Sequence, residues 1–237
     1  MNWDKHFSDK SEVKWPVNDA PVEAVIKVVT YNLRAKYGND WSRLEFLDLG
    51  CGGGVTMQWL AHRGMTVSGI DISEEAIGIA GCRAVHGGYA DHVNKLGVGS
   101  ATKLPFAKNA LDGIVEACVI QHLNKKDRLK AFQEIDRVIK PGGVFVGYML
   151  NVFDDTIRQG KRTDGPDTVI FSTGPSGHLQ NIGLPHFFAK DEIKEYLPNF
   201  TVECLNTTFE MPADECHRRN CDQYTNSFYT VYAVKNA

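Results

Sequence analysis

Four glycines in five positions, Gly50, Gly52, Gly53 and Gly54 with Cys51 among them, follow the apolar run Glu45-Phe46-Leu47-Asp48-Leu49 and precede a helical pattern that starts at Val55. A chain that bends this sharply without Cβ atoms can lay backbone N–H groups against a ligand, with the positive end of a helix behind them. Asp71 stands 21 residues after Gly50, at the end of a second apolar run. A carboxylate there can accept hydrogen bonds from both hydroxyls of a ribose, so turn and acid together point to a nucleoside-containing cofactor. The dinucleotide spacing G-x-G-x-x-G wants a further glycine where this chain has Val55. His122, after a third strand-like run, and His186, beside Phe187 and Phe188, are the candidates for proton transfer.

The elements that must position these residues are written as alternating patterns. Val22, Val25, Ile26, Val29 and Leu33 recur at helical spacing over 21–36, with Asp19 as cap and Gly38 past the end. A strand over 45–49, a helix over 55–62 and a strand over 65–72 follow, and Ser73 with Glu74 and Glu75 opens another helix. Strands are expected at 95–98, 111–120 and 144–149, with a helix over 126–139 that buries Leu129, Phe132, Ile135 and Val138. This alternation predicts a Rossmann-like, doubly wound α/β fold whose sheet is mostly parallel, with helices on both faces. From 154 to 185 the chain is polar and rich in glycine and proline, the pattern of a functional loop. A helix over 191–197 and strands over 201–209 and 227–234 complete it, the last two joined without a convincing helix and therefore an antiparallel pair at the sheet edge. We expect one domain over 1–237: an N-terminal lid and helix (1–40), a cofactor-binding core (45–150), and an acceptor-site insertion with the terminal strand pair (151–237).

Composition narrows the partners. A net charge of −3, with both signs mixed along 237 residues, gives no broad positive field for nucleic acid or anionic lipid. Charges at Asp4, Lys5, Asp9, Lys10, Glu12 and Lys14 interrupt any signal-peptide core, and no later run reaches the ~18 apolar residues of a membrane span, so a cytoplasmic protein is expected. The six cysteines lack the spacing of a disulfide scaffold and read as thiols. Cys216, His217 and Cys221 have no second ligand pair nearby, so no metal is expected.

The segment Leu47-Asp48-Leu49-Gly50-Cys51-Gly52-Gly53-Gly54 resembles the first motif of the class I S-adenosylmethionine-dependent methyltransferases. Gly69-Ile70-Asp71-Ile72-Ser73 is similar to that family's ribose-binding segment, Leu104-Pro105-Phe106 with Leu111-Asp112 to its L-P-F…F-D segment, and Arg137-Val138-Ile139-Lys140-Pro141-Gly142-Gly143 to its R-V-L-K-P-G-G turn. The resemblance implies S-adenosylmethionine as cofactor, S-adenosylhomocysteine as product, and transfer of a methyl group to a small-molecule acceptor. It places Asp48, Gly50, Cys51, Gly52 and Gly54 around the methionine part, Asp71 on the ribose and Ile72 against the adenine. Ser100 and Ala101 stand where the family has an acid beside the adenine amino group, and Glu116 opens the segment that faces the methyl group. It also makes His122 and His186 candidates for catalysis on the acceptor, and Trp3, Phe7 and Trp15 candidates for a lid over the cofactor. An NAD-dependent oxidoreductase on the same sheet, or a non-catalytic S-adenosylmethionine-binding protein, are the alternatives. Val55 and the terminal strand pair count against the first, and the intact Asp48, Gly50, Gly52, Gly54 and Asp71 against the second.

Overall fold

The computed structural model describes residues 4, 20–158, 161–162, 169–170, 185–218 and 223–237. Asp19, the aromatic residues of the expected lid (Trp3, Phe7, Trp15) and Gly160, Gly165, Gly174, Gly177 and Leu184 of the expected loop lie outside that set, as does Cys221. Helix α1 (Glu23–Tyr37) buries Val25, Val28, Val29 and Leu33 and stops at Gly38, whose φ of 67° lets its N–H return to the Arg34 carbonyl. Then come β1 (Glu45–Leu49), α2 (Val55–Ala61), β2 (Thr66–Asp71), α3 (Glu74–His86) and β3 (Val93–Val98). Ser73 caps α3, its hydroxyl accepting the Ala76 N–H at 3.1 Å, as the sequence led us to expect.

After β4 (Leu111–Ala117), α4 (Lys125–Val138) and β5 (Ile139–Leu150), the described residues include an antiparallel pair of two-residue strands, β6 (Lys161–Arg162) and β7 (Val169–Ile170). Helix α5 (Lys190–Tyr196), β8 (Phe200–Glu210), α6 (Ala213–Arg218) and β9 (Thr225–Lys235) complete the chain. Among the described residues, the main sheet has seven strands in the order β3-β2-β1-β4-β5-β9-β8. β3 to β5 pair in parallel, and β9 runs antiparallel to both β5 and β8. Alternate strand residues serve opposite faces: Phe46, Val67, Val115 and Val146 join α1 and α2 in one core, while Leu47, Ile114, Phe145 and Val231 join α4 and α5 in the other.

The Rossmann-like, mostly parallel sheet expected from the alternation is therefore present, antiparallel terminal pair included. Three local expectations are corrected. β4 ends at Ala117 rather than continuing to residue 120, because Cys118 adopts φ 60° and turns the chain out of the strand. Leu129 is 48% exposed, while Arg128 lies in the helix interface with its Nη1 donating to the Leu123 carbonyl at 2.7 Å. A hydrogen-bonded guanidinium takes the position that hydrophobic periodicity assigned to its neighbour. The β8–β9 connection does contain a helix, α6, too short to leave a pattern of its own.

Candidate active site

In open parallel sheets, ligands gather outside the carboxyl ends of the strands, where the strand order reverses. Here the reversal lies between β1 and β4, so the turn after β1 and the segment after β4 flank that crevice. Gly50, Gly52 and Gly54 all have positive φ (69°, 49° and 82°). Two of them are also fixed by close neighbours. A Cβ on Gly50 would lie 2.2 Å from Val119 Cγ2, and one on Gly54 would lie 3.1 Å from Ala80 Cβ on α3. The turn is laced to β2: Gly50 N–H donates to the Ile70 carbonyl at 2.7 Å, and Gly52 N–H donates to Asp71 Oδ2 at 2.9 Å.

Asp71 closes the arrangement from the other side. Its Oδ1 accepts the Ser73 N–H at 2.9 Å, so two backbone donors hold the carboxylate in one orientation. Each oxygen retains acceptor capacity for a further donor. The next residue, Ile72, is 62% exposed, an apolar side chain left in the open beside an oriented acid. Asp4, described from the N-terminal segment, accepts the Ser73 hydroxyl proton at 2.7 Å and so stands at the same helix start.

Behind the turn, burial pushes Asp48 up to about 7 against an opposing backbone hydrogen bond from Met57, and the charges of Asp71 and Glu116 push in the same direction as burial. Cys51 is buried and its thiol is raised by burial, which keeps it protonated. Ser100 forms a local turn after β3, its Oγ 2.9 Å from Thr102 Oγ1 and accepting the Thr102 N–H, and Ala101 packs into the core with Leu104.

Glu116 is buried at the end of β4, and burial raises it to about 7. Its Oε2 accepts the N–H groups of Val119 (3.0 Å) and Ile120 (3.3 Å), so its carboxylate braces the segment that follows Cys118. His122 ends the 3₁₀ turn Ile120–His122, and burial lowers its imidazole to about 4, leaving it neutral. His186 is 4% exposed; its N–H donates to the Gln121 carbonyl at 2.7 Å and its Nε2 lies 2.8 Å from Glu192 Oε1. Burial alone would raise Glu192, but the hydrogen bond and charge of His186 hold it below its ordinary value. Phe188 meets the His186 ring edge-on at 4.6 Å between centroids. The two histidines thus meet through Gln121, at the carboxyl end of β4.

Reasoning from the sequence missed Val119, Gln121, Arg128 and Glu192. Only Glu192 had a local signal, since an acid in the first turn of α5 suits the helix dipole.

The sheet order, the glycine turn and the acid at the end of β2 agree with the resemblance to the class I S-adenosylmethionine-dependent methyltransferases found in the sequence. Residues 47–147 match the methyltransferase domain family. A sterol 24-C-methyltransferase from Gibberella zeae is 33% identical over 116 residues, covering 47% of this chain and 30% of that protein. A ubiquinone biosynthesis O-methyltransferase from Agrobacterium fabrum is 32% identical over 108 residues, covering 46% of this chain and 41% of that protein. This chain therefore spans less than half the length of either relative. Among solved structures, the Burkholderia thailandensis 1,6-didemethyltoxoflavin-N1-methyltransferase with bound S-adenosylhomocysteine superposes with a TM-score of 0.58 at 18% identity, over 91% of this chain and 80% of that one, a likeness of fold. Among the described residues, no helix is long and apolar enough to cross a membrane.

Proposed function

We propose that this chain binds S-adenosylmethionine and transfers its methyl group to a small-molecule acceptor by in-line displacement. The observation that carries the reading is Asp71: a carboxylate held by Gly52 N–H and Ser73 N–H at the end of β2, with Ile72 exposed beside it. That pairing of an oriented acceptor with an open apolar side chain fits a ribose joined to a flat base. On this reading Asp71 holds the ribose, Ile72 lies against the adenine, and Ser100 with the Ala101 backbone borders its edge. Asp48, Gly50, Cys51, Gly52 and Gly54 form the wall for the methionine part. Glu116 belongs to the same site through the segment it braces. When bound, the cofactor's sulfonium supplies a methyl group with a neutral leaving group, so the protein's task is largely alignment and exclusion of water.

His122 and His186 flank the acceptor side, and either acts on the acceptor's orientation or on its proton where the acceptor has one to lose. Relatives whose names carry sterol and ubiquinone-pathway methylation support a small organic acceptor over nucleic acid. A cytoplasmic setting fits, since Cys51, Cys82, Cys118, Cys204 and Cys216 stand as thiols. Isothermal titration with S-adenosylmethionine, S-adenosylhomocysteine and NAD tests the proposal. We expect micromolar-range binding of the first two and none of the third; binding of NAD alone would overturn it.

A further inference from the structure

The turn from Cys118 to His122 touches both halves of the site. Val119 covers Gly50 on the cofactor side, and the Gln121 carbonyl receives the His186 N–H on the other. Gln121 is 1% exposed, and its side chain is engaged at both ends. Oε1 accepts the Leu150 N–H at 2.8 Å, Nε2 lies 3.3 Å from His122 Nε2, and the Cys118 thiol hydrogen-bonds the same side chain.

These contacts fix the orientation of the amide. Leu150 N–H is a donor only, so the arm facing it is the carbonyl oxygen and the arm facing His122 is the NH₂ group. An amide NH₂ donates and has no lone pair to offer, so His122 Nε2 is the acceptor in that contact. A ring nitrogen that accepts carries no proton. Burial keeps His122 neutral, and its single proton then sits on Nδ1. At His186 the complementary argument gives the opposite result, because the Glu192 carboxylate accepts from Nε2 and places the proton there.

We propose that Gln121 is a positioning residue: by donating to His122 Nε2 while accepting from Leu150 N–H, it locks His122 in the Nδ1–H tautomer and engages the lone pair through which His122 Nε2 would act as a base. The inference deepens the methyl-transfer reading and rests on it for its meaning: His122 orients the acceptor side and takes no proton through Nε2. The titratable groups around this joint are Glu116 and Cys118 on its own strand end, Tyr148 on β5, Arg128 on α4, and His186 with Glu192 on the docked segment.

Imidazole ¹⁵N and ¹³C NMR on the full chain, without ligand, tests it. In the parent protein we expect His122 as the Nδ1–H tautomer with a titration midpoint below about 5. A parent His122 protonated on Nε2 overturns the proposal with no variant required. Gln121→Glu keeps an oxygen for Leu150 N–H but offers His122 an acceptor, so the tautomer should switch to Nε2–H and the midpoint rise by at least about two pH units. An unchanged tautomer and midpoint in the folded variant would overturn it. Gln121→Leu should release the tautomer preference, and retention of the parental Nδ1–H population would also count against us. Titration of the parent with S-adenosylhomocysteine separates the two layers: absence of binding removes the methyltransferase reading and leaves the tautomer result standing.

Discussion

Placing an alanine at Gly50 tests how the glycine turn is held. The new Cβ would sit 2.2 Å from Val119 Cγ2 and 2.9 Å from Cγ1, and the backbone would have to keep φ 69°. A non-glycine residue in that region costs about 1–2 kcal/mol, and overpacking of this kind adds about 1–3 kcal/mol, so Gly50→Ala should lose about 2–5 kcal/mol. Trimming the neighbour relieves the second part only. With Val119→Ala the nearest remaining atom is Val119 Cβ at 3.1 Å, a separation that small shifts can absorb. In the Val119→Ala background, Gly50→Ala should therefore cost only about 1–2 kcal/mol, a coupling of about 1–3 kcal/mol. Urea denaturation of the four proteins in the cycle measures it, with S-adenosylhomocysteine titration alongside. Costs additive within about 0.5 kcal/mol would refute the claim that Val119 and the first glycine pack as one unit.

Asp71→Ala should weaken S-adenosylmethionine and S-adenosylhomocysteine by about 1.5–3 kcal/mol in calorimetry, and equal titration curves would remove Asp71 from the site. Gly52→Val should abolish that binding while circular dichroism stays parental, since a β-branched residue suits neither φ 49° nor the close approach of the cofactor that we propose for this turn. Asp48 rises from 3.8 and Glu116 from 4.5, each to about 7, so the folded protein holds protons there that the unfolded chain releases. Their contribution is full below pH ~4 and is lost as pH rises towards about 7, by at most about 4 kcal/mol per group, whereas lowered His122 gives the opposite slope between about 6.5 and 4. Subtracting the urea stability of Asp48→Asn from that of the parent at pH 5 and pH 7.5 isolates one term, and a difference independent of pH would contradict it. His186→Ala should leave S-adenosylhomocysteine affinity within about twofold, lower stability by about 2–4 kcal/mol, and slow methyl transfer by roughly 10–1,000-fold. Parental turnover by the folded variant would exclude the catalytic role.

The parallel strands were legible because buried strands are short apolar runs and the helices between them repeat at their own period. The glycine turn and Asp71 were legible because chemistry and spacing coincide within one βαβ unit. What stayed hidden depends on contacts between distant positions. Nothing near Gln121 announces that its side chain meets Leu150, 29 residues on. Leu129 and Arg128 traded places because periodicity scores a guanidinium as polar, though hydrogen bonds inside a helix interface can satisfy it. Cys118 has a left-handed φ that its residue type does not advertise, and the brace from Glu116 to Val119 and Ile120 lies just beyond it.

The position of β9 between β5 and β8 sets an order of assembly during synthesis. Among the described residues β8 pairs in the main sheet with β9 alone, yet it emerges first. Some 25 residues separate Glu210 from Lys235. At the ~5–20 residues per second of translation, β8 waits about 1–5 s for its neighbour, and the open edge of β5, which ends at Leu150, waits about 4–17 s. During that interval, the edge of β5 along Phe145, Val146 and Tyr148 is a template for any other extended chain. Overproduction at high temperature should therefore lose protein to inclusion bodies through this edge, and slower translation should recover it.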